Sequence, residues 1–266
     1  MATRAERREA ADLYTVGKYE PKLTENGIPA DVLEKLLPGD DVIELTEPKV
    51  AGGIVYRIVK RAFDIVSCGC ALIILAIPMV VIALKIKSES PGPVIYAQRR
   101  VGKDGRIFNL YKFRSMYTDA EARGVQWAKN NDSRVTPFGK IMRKTRMDEI
   151  PQFWNVFKGD MSLIGPRPER PEFYEKYCAE YPEFAYRLRA KAGLTGYAQL
   201  YGRYNTTFAD KALLDMHYIQ KASFLWDLQL IFYTLKIIFV KESTEGVETK
   251  PAEPEKKEPA CAGESK

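Results

Sequence analysis

The sequence predicts a mixed α/β protein, mainly helical, in which a re-entrant membrane helix carries a small strand element and interfacial amphipathic helices. Three observations lead there. Ala71 to Leu84 is wholly apolar and holds Pro78 in its middle. Basic residues flank that stretch on both sides: Arg57, Lys60 and Arg61 before it, Lys85 and Lys87 after it. Beyond Ser88 the chain changes character, to short alternating runs and longer helical patterns separated by turn residues.

Composition narrows the class before any motif is read. Of 266 residues, 45% are hydrophobic and 29% charged, which supplies a core and excludes wholesale disorder. The cysteines Cys68, Cys70, Cys178 and Cys261 show no paired metal spacing, and His217 is the single histidine. Zinc sites of the four-cysteine or histidine-rich kind are therefore not expected, and a reducing, cytosol-facing compartment fits. The net charge of +6 is unevenly placed. Residues 1–50 carry 7 basic and 11 acidic side chains, whereas residues 99–146 carry 13 and 4. A basic block in a near-neutral chain implies an anionic partner: nucleic acid, lipid headgroups or a phosphorylated small molecule.

The elements follow in order. Residues 1–53 form an acidic appendage, with short helices expected at Met1–Asp12 and Ala30–Leu37 and no signal peptide expected. Residues 54–240 form the main unit, opened by a re-entrant segment at about 58–87. From Ala62 to Ile86 the charged residues are Asp64 and Lys85. Pro78 removes a backbone donor and bends the helix, here expected at Ile77-Pro78. Basic flanks at both ends favour the same cytoplasmic side. A buried core helix is the plainer alternative. Val94–Gln98 and Arg106–Phe113 read as strands around a turn at Lys103-Asp104-Gly105. Helices are expected at Asp119–Asn130, Pro137–Lys144, Glu149–Phe157, Glu172–Ala190, Phe208–Gln220 and Phe224–Val240, the last an interfacial or packing helix and not a spanning one, because Asp227, Gln229 and Lys236 interrupt it. Residues 241–266, rich in Lys, Glu and Pro, form an expected disordered tail.

Several spots admit chemistry, and each has a plainer reading. Asp148-Glu149 lies beside Arg143, Lys144 and Arg146. Such a pair can hold a divalent cation and meet a phosphate, or, more commonly, cap a helix and complement its dipole. Pro166-Arg167-Pro168 sets a guanidinium on a stiff backbone, either toward a phosphate or into solvent. The run Gly193 to Gln199, followed by Gly202-Arg203, offers backbone N–H groups and a cation to an anion, but lacks the Gly-Lys-Ser/Thr of a P-loop. Lys112 and Arg114 stand at period two and would share one sheet face.

Taken in order, these stretches resemble the bacterial sugar transferases, the monotopic polyprenyl-phosphate phosphoglycosyl transferases. The resemblance runs from about 55 to 240. It is carried by Lys60-Arg61-Ala62-Phe63-Asp64, Pro91-Gly92-Pro93-Val94, Gln98 to Gly102, Tyr111 to Met116, Asp148 to Gln152 with Trp154-Asn155-Val156, Lys158 to Pro168, Gly193 to Gln199, Gly202-Arg203, and Asp215 before Tyr218. It implies that 54–240 is a membrane-anchored catalytic domain. Its reaction would move a sugar-1-phosphate from a nucleoside diphosphate sugar, expected to be a UDP-sugar, to undecaprenyl phosphate, releasing a nucleoside monophosphate. That step starts exopolysaccharide, capsule, O-antigen or glycoprotein glycan assembly. By resemblance Asp148 is the nucleophile, forming an aspartyl-phosphosugar, and a Mg2+ ligand. Glu149 assists proton transfer or orientation, and Lys112, Arg114, Arg167, Arg203 and Asp215 are substrate-binding. Many members break the re-entrant helix at Ser-Pro, where this chain has Ile77-Pro78. The implied setting is the bacterial cytoplasmic membrane, with the catalytic domain facing the cytoplasm and touching inner-membrane lipids. A homodimer is left open and no nucleic acid is expected, since neither interleaved exposed aromatics nor a nucleic-acid module is present. A non-enzymatic membrane adaptor is the rival class.

Overall fold

The structure, a computed structural model, describes residues 47–120, 132–202 and 208–238 together with the two-residue strands β1 (Lys18–Tyr19) and β2 (Ile43–Glu44), which pair antiparallel. The helices expected at Met1–Asp12 and Ala30–Leu37, most of that at Asp119–Asn130, and the tail lie outside the described residues.

Helices α1 (Gly53–Ile74) and α2 (Ala76–Glu89) form a pair bent by 59° at Leu75. The break falls three residues before Pro78, not at Ile77-Pro78. Proline has no N–H for the Ile74 carbonyl and its ring crowds that carbonyl, so the regular ladder fails one turn upstream of it. Neither helix alone is long and apolar enough to cross a membrane, but the pair together is, by length and composition. Its apolar side chains turn outward: Ile73 and Ile77, on either side of the bend, are each 78% exposed. The strand–turn–strand expectation holds. β3 (Ile95–Val101) and β4 (Ile107–Phe113) form an antiparallel hairpin with Ile95 opposite Phe113 and Val101 opposite Ile107. Its turn, Lys103–Gly105, places Asp104 at φ 54 and Gly105 at φ 77.

The centre of the body is helical. α3 (Pro137–Lys144) starts on Thr136, whose side chain accepts from the Gly139 N–H at 3.0 Å, with Pro137 in the first turn. α4 (Gln152–Lys158) follows a separate 3-10 turn at Met147–Glu149. The single helix expected over Glu172–Ala190 is two pieces: α5 (Pro171–Glu180) and a 3-10 stretch, Pro182–Arg189. Tyr181 precedes a proline and is extended (φ −138, ψ 93), because the proline ring disfavours helical geometry in the residue before it. After α6 (Tyr197–Tyr201), α7 (Phe208–Lys221) and α8 (Phe224–Ile238) occupy the expected ranges within one or two residues.

Besides β1 and β2, two more strands were not foreseen. β5 (Ser162–Ile164) and β6 (Gly193–Thr195) pair in parallel. Gly165, Gly193 and Gly196 serve this pairing, and Arg203, the cation of the anion reading, lies outside the described residues. A Cβ on Gly193 would lie 2.1 Å from the Gly165 nitrogen, and one on Gly196 would lie 2.2 Å from the Gly165 oxygen. Only bare backbone fits, and the Gly165 and Gly193 N–H groups are used in bonds to Thr195 O and Pro166 O.

Apolar packing joins these pieces through β4. Leu110 meets Cys68 of α1 and Val156 of α4, while Phe113 meets Ile82 and Ile86 of α2 and Met142 of α3. A third cluster sets Leu213, Leu214 and Ile219 of α7 with Leu230 of α8 and Ile164 of β5. Charged groups at the start of the bent pair reinforce this packing. Lys60 pairs with Asp227 at 2.6 Å, Arg61 donates to the Val156 and Phe157 carbonyls at 2.7 Å each, and Asp64 accepts from the Leu163 N–H at 3.1 Å. α8 reverses the pattern of a helix on a water-soluble surface. Asp227 points inward to Lys60, Tyr56 and Tyr218, whereas Leu225, Phe232 and Leu235 face outward.

Because a Cβ at Gly165 would sit 2.2 Å from the Lys191 carbonyl oxygen, Gly165→Ala must force the β5–β6 pair apart. A loss of about 1–3 kcal/mol is expected, read as a fall in thermal midpoint; an unchanged midpoint would show that the backbone gives way without cost.

Candidate active site

The site forms where the turn after α3 meets β4 and the segment after β5. α3 ends at Lys144, and Arg146 adopts a left-handed conformation (φ 58, ψ 12), a place that usually favours glycine. Holding a non-glycine residue there costs about 1 kcal/mol or more. The reversal delivers Asp148 and Glu149 on a 3-10 turn. Pro151, not Asp148, precedes the first residue of α4, and no side chain caps that helix. The capping reading of the acidic pair therefore fails.

The two carboxylates are treated differently. Glu149 Oε1 accepts from Lys112 Nζ at 3.1 Å and from Arg167 Nη2 at 2.9 Å. Burial alone would raise its pKa, but the two cations overcome burial and hold it well below the usual carboxylate range. Asp148 is 8% exposed, and no described side chain forms a hydrogen bond or ion pair with it. Burial moves its pKa above the usual value, with Lys112 opposing. Lys112 is in turn lowered by burial and supported by Glu149.

Each partner is placed by its own segment. Asn155 of α4, fully buried, donates to the Asn109 carbonyl at 2.7 Å and accepts from the Tyr111 N–H at 2.9 Å. Its amide acts as one residue of a neighbouring strand, and so fixes the register of Lys112 against Glu149. Arg167 follows β5 between two prolines.

Of the residues expected at the site, Asp148, Glu149, Lys112 and Arg167 come together. Asp215 stands behind them. It is 1% exposed and pairs with Arg187 at 2.5 Å, which also donates to the Arg167 carbonyl at 3.0 Å. Arg114 does not share a face with Lys112. It lies just past the end of β4, and its guanidinium donates to the Pro91 carbonyl at 2.6 Å, the Ser90 carbonyl at 2.7 Å and Ser90 Oγ at 3.0 Å. Arg203 lies outside the described residues, and Pro78 belongs to the bent pair. Asn155 entered the sequence reading only within the Trp154-Asn155-Val156 stretch that carries the resemblance, with no role of its own, and Arg187 was given none. A polar residue inside the apolar run Phe153 to Phe157 was the available sign for Asn155; Arg187 had none, because its hydrogen-bond acceptors, the Arg167 carbonyl and Asp215, lie 20 and 28 residues away.

Comparison with known proteins bears on the same segment. Residues 55–241 match the bacterial sugar transferase family. The chain belongs to that family. A UDP-N-acetylgalactosamine-undecaprenyl-phosphate N-acetylgalactosaminephosphotransferase of Aeromonas hydrophila is 43% identical over 187 residues, which cover 69% of this chain and 44% of that protein. A UDP-glucose:undecaprenyl-phosphate glucose-1-phosphate transferase of Escherichia coli (strain K12) is 36% identical over 238 residues, 87% of this chain and 48% of the relative. One of the same name from Caulobacter vibrioides is 36% identical over 189 residues, 69% of this chain and 71% of the relative. This bacterial sugar transferase thus spans about half the length of the first two relatives and more of the third.

The cage around Arg114 marks it as the brace of the loop between α2 and β3. Arg114→Lys is expected to cost about 2 kcal/mol of stability through lost charge-assisted bonds, seen as a lower thermal midpoint with the donor KM unchanged; a raised KM at an unchanged midpoint would return Arg114 to the substrate.

Proposed function

We propose that this chain transfers a sugar-1-phosphate from a nucleoside diphosphate sugar, expected to be a UDP-sugar, to undecaprenyl phosphate at the cytoplasmic face of a bacterial membrane. One observation carries the reading: an unpaired, buried Asp148 beside a Glu149 whose charge is already matched by Lys112 and Arg167. The printed activities of the relatives, on undecaprenyl phosphate, support it.

The chemistry follows from charge. A donor diphosphate and an attacking carboxylate repel each other, so cations must meet the phosphoryl oxygens. Lys112 and Arg167 are held ready by Glu149 and can turn to the donor. An Asp148 oxygen attacks the phosphorus nearer the sugar, the bond to the nucleoside monophosphate breaks, and an acyl-phosphate joins Asp148 to the phosphosugar. A phosphate oxygen of undecaprenyl phosphate then attacks the same phosphorus and frees the Asp148 carboxylate. Glu149 is held too acidic to store a proton near neutral pH, so its part is to orient the two cations.

No group of three or more His, Cys, Asp or Glu among the described residues is arranged to hold a metal ion. The donor set nevertheless suits Mg2+, which takes one or two carboxylates and fills its remaining positions with water and substrate oxygens. Asp148 would hold it, and it would supply charge neutralisation to the diphosphate. The bent α1–α2 pair and the outward apolar side chains of α8 fit a re-entrant anchor with α8 at the interface. In that arrangement inner-membrane lipid surrounds the pair.

Asp148→Asn is the first test. Turnover should fall by several orders of magnitude while the fold persists. With labelled donor and no lipid, the wild type should retain label that hydroxylamine releases, and Asp148→Asn none; an active Asn variant would sink the nucleophile. A panel of UDP-sugars with undecaprenyl phosphate, read by nucleoside monophosphate release, identifies the sugar. Topology is tested separately. Single cysteines placed at residues 47 and 120 should both label from the cytoplasmic side, and labelling from opposite sides would replace the re-entrant anchor with a spanning one.

A further inference from the structure

The segment that carries Arg167 is held in an unusual way. Four successive carbonyls each accept a hydrogen bond from a different donor. Pro166 O accepts from the Gly193 N–H at 2.9 Å, Arg167 O from Arg187 Nη2 at 3.0 Å, Pro168 O from Arg100 Nη1 at 2.8 Å, and Glu169 O from the Val101 N–H at 2.9 Å. Pro166 and Pro168 have no N–H, so half of the segment's backbone donors are missing and these four contacts hold it along its carbonyl edge. Two of the four donors are arginine side chains, and both are themselves fixed. Arg187, 3% exposed, pairs with Asp215 and lies over the Phe184 ring at 4.5 Å. Arg100 donates to Gln98 Oε1 from Nε at 3.0 Å and from Nη2 at 2.6 Å. The Glu169 carboxylate lies between them, 3.9 Å from Arg100 and 3.6 Å from Arg187.

These arginines differ from Arg167. The charge of Arg187 is matched by Asp215 and Glu169 in a buried setting, which leaves it little to offer a substrate phosphate. Arg167 has a side chain about a third exposed and reaches the dyad. We propose that Arg100 and Arg187 are positioning residues: they clamp the Pro166–Glu169 backbone from two sides and so fix the approach of the Arg167 guanidinium to Glu149 and to the donor phosphate. Asp215 then acts through Arg187 and not on substrate, which revises the expectation drawn from the family resemblance. Lysine cannot replace either arginine, because one ammonium cannot reproduce the forked contacts of Arg187 to Asp215, Glu169 and the Arg167 carbonyl, or of Arg100 to Gln98, Glu169 and the Pro168 carbonyl. A misplacement of about 1 Å at a charged group can cost up to about 100-fold in rate.

The inference rests on the reading of Arg167 as a phosphate ligand, and two measurements separate the two. In the transfer assay, Arg187→Lys and Arg100→Lys should each lower kcat by about 10-fold or more. In an Arg167→Ala background the same changes should cost under about two-fold, since nothing remains to position. Equal costs in both backgrounds would overturn the clamp. The second measurement needs no activity: native-state cleavage by a glutamyl endoproteinase, read by mass spectrometry at Glu169 and at Glu89. Local release of the clamp should raise cleavage at Glu169 alone. An unchanged Glu169, or an equal rise at Glu89, would overturn the proposal. Should Arg187→Lys fail to fold, Glu169→Gln is expected to lower kcat in the same background-dependent way, and a flat cycle there counts equally against the clamp. Absence of transfer by the wild type from every donor would sink the functional reading, and the cleavage pattern would still decide the clamp.

Discussion

A single oxygen, Oε1 of Glu149, joins three stretches of chain that are far apart in sequence. It takes Lys112 from the end of the hairpin, Arg167 from the segment after β5, and is itself delivered by the turn after α3. Without a bound anion, two cations and one carboxylate in a largely buried place must stay together, because separating any one leaves an uncompensated charge out of water. Much of the surrounding structure is arranged to meet that condition. Asn155 sets the height of Lys112 along β4, Arg146 accepts a left-handed backbone to turn Glu149 inward, and the glycines at 165, 193 and 196 let the parallel pair close behind Arg167. Asp148, one residue away, is left as the carboxylate with no such partner.

The sequence made the local pieces legible. Lys103-Asp104-Gly105 announced the hairpin turn, and the ranges of α3, α7 and α8 were read within one or two residues. The acidic pair, the Pro-Arg-Pro segment and Lys112 were also found, since charged residues among apolar ones are conspicuous. What stayed hidden depended on distant partners. β5 and β6 are three residues each and lie some thirty residues apart, so neither has a periodicity of its own. Arg114 looked like a companion of Lys112 until Ser90 and Pro91 supplied its partners. The turn at Tyr181-Pro182 was a local signal passed over: one helix was expected over Glu172–Ala190, and the proline divides it.

The bent helix pair was legible in outline, and its bend was misplaced by about one turn. The error has a simple origin. Proline marks a break by what it denies the residue four positions earlier, so the visible residue and the visible bend do not coincide. The chain's charge distribution tells a related story. The basic block of residues 99–146 contributes Arg100, Lys112 and Arg114, and these do three different jobs: one grips backbone, one faces the dyad and one braces a loop. A net charge of one sign therefore describes the neighbourhood and not the duties of its members.

Lys60, Arg61 and Asp64 reach, from a span of five residues on one helix, to α8, to the end of α4 and to β5. The bent pair is consequently not a detachable module. Recombination that joined the bent pair of one family member to the body of another would have to carry Asp227, the α4 carbonyl end and the Leu163 backbone position with it, or leave three polar groups stranded. Inheritance should therefore treat the bent pair and the body as one unit, and sequence drift in either should be paced by the other.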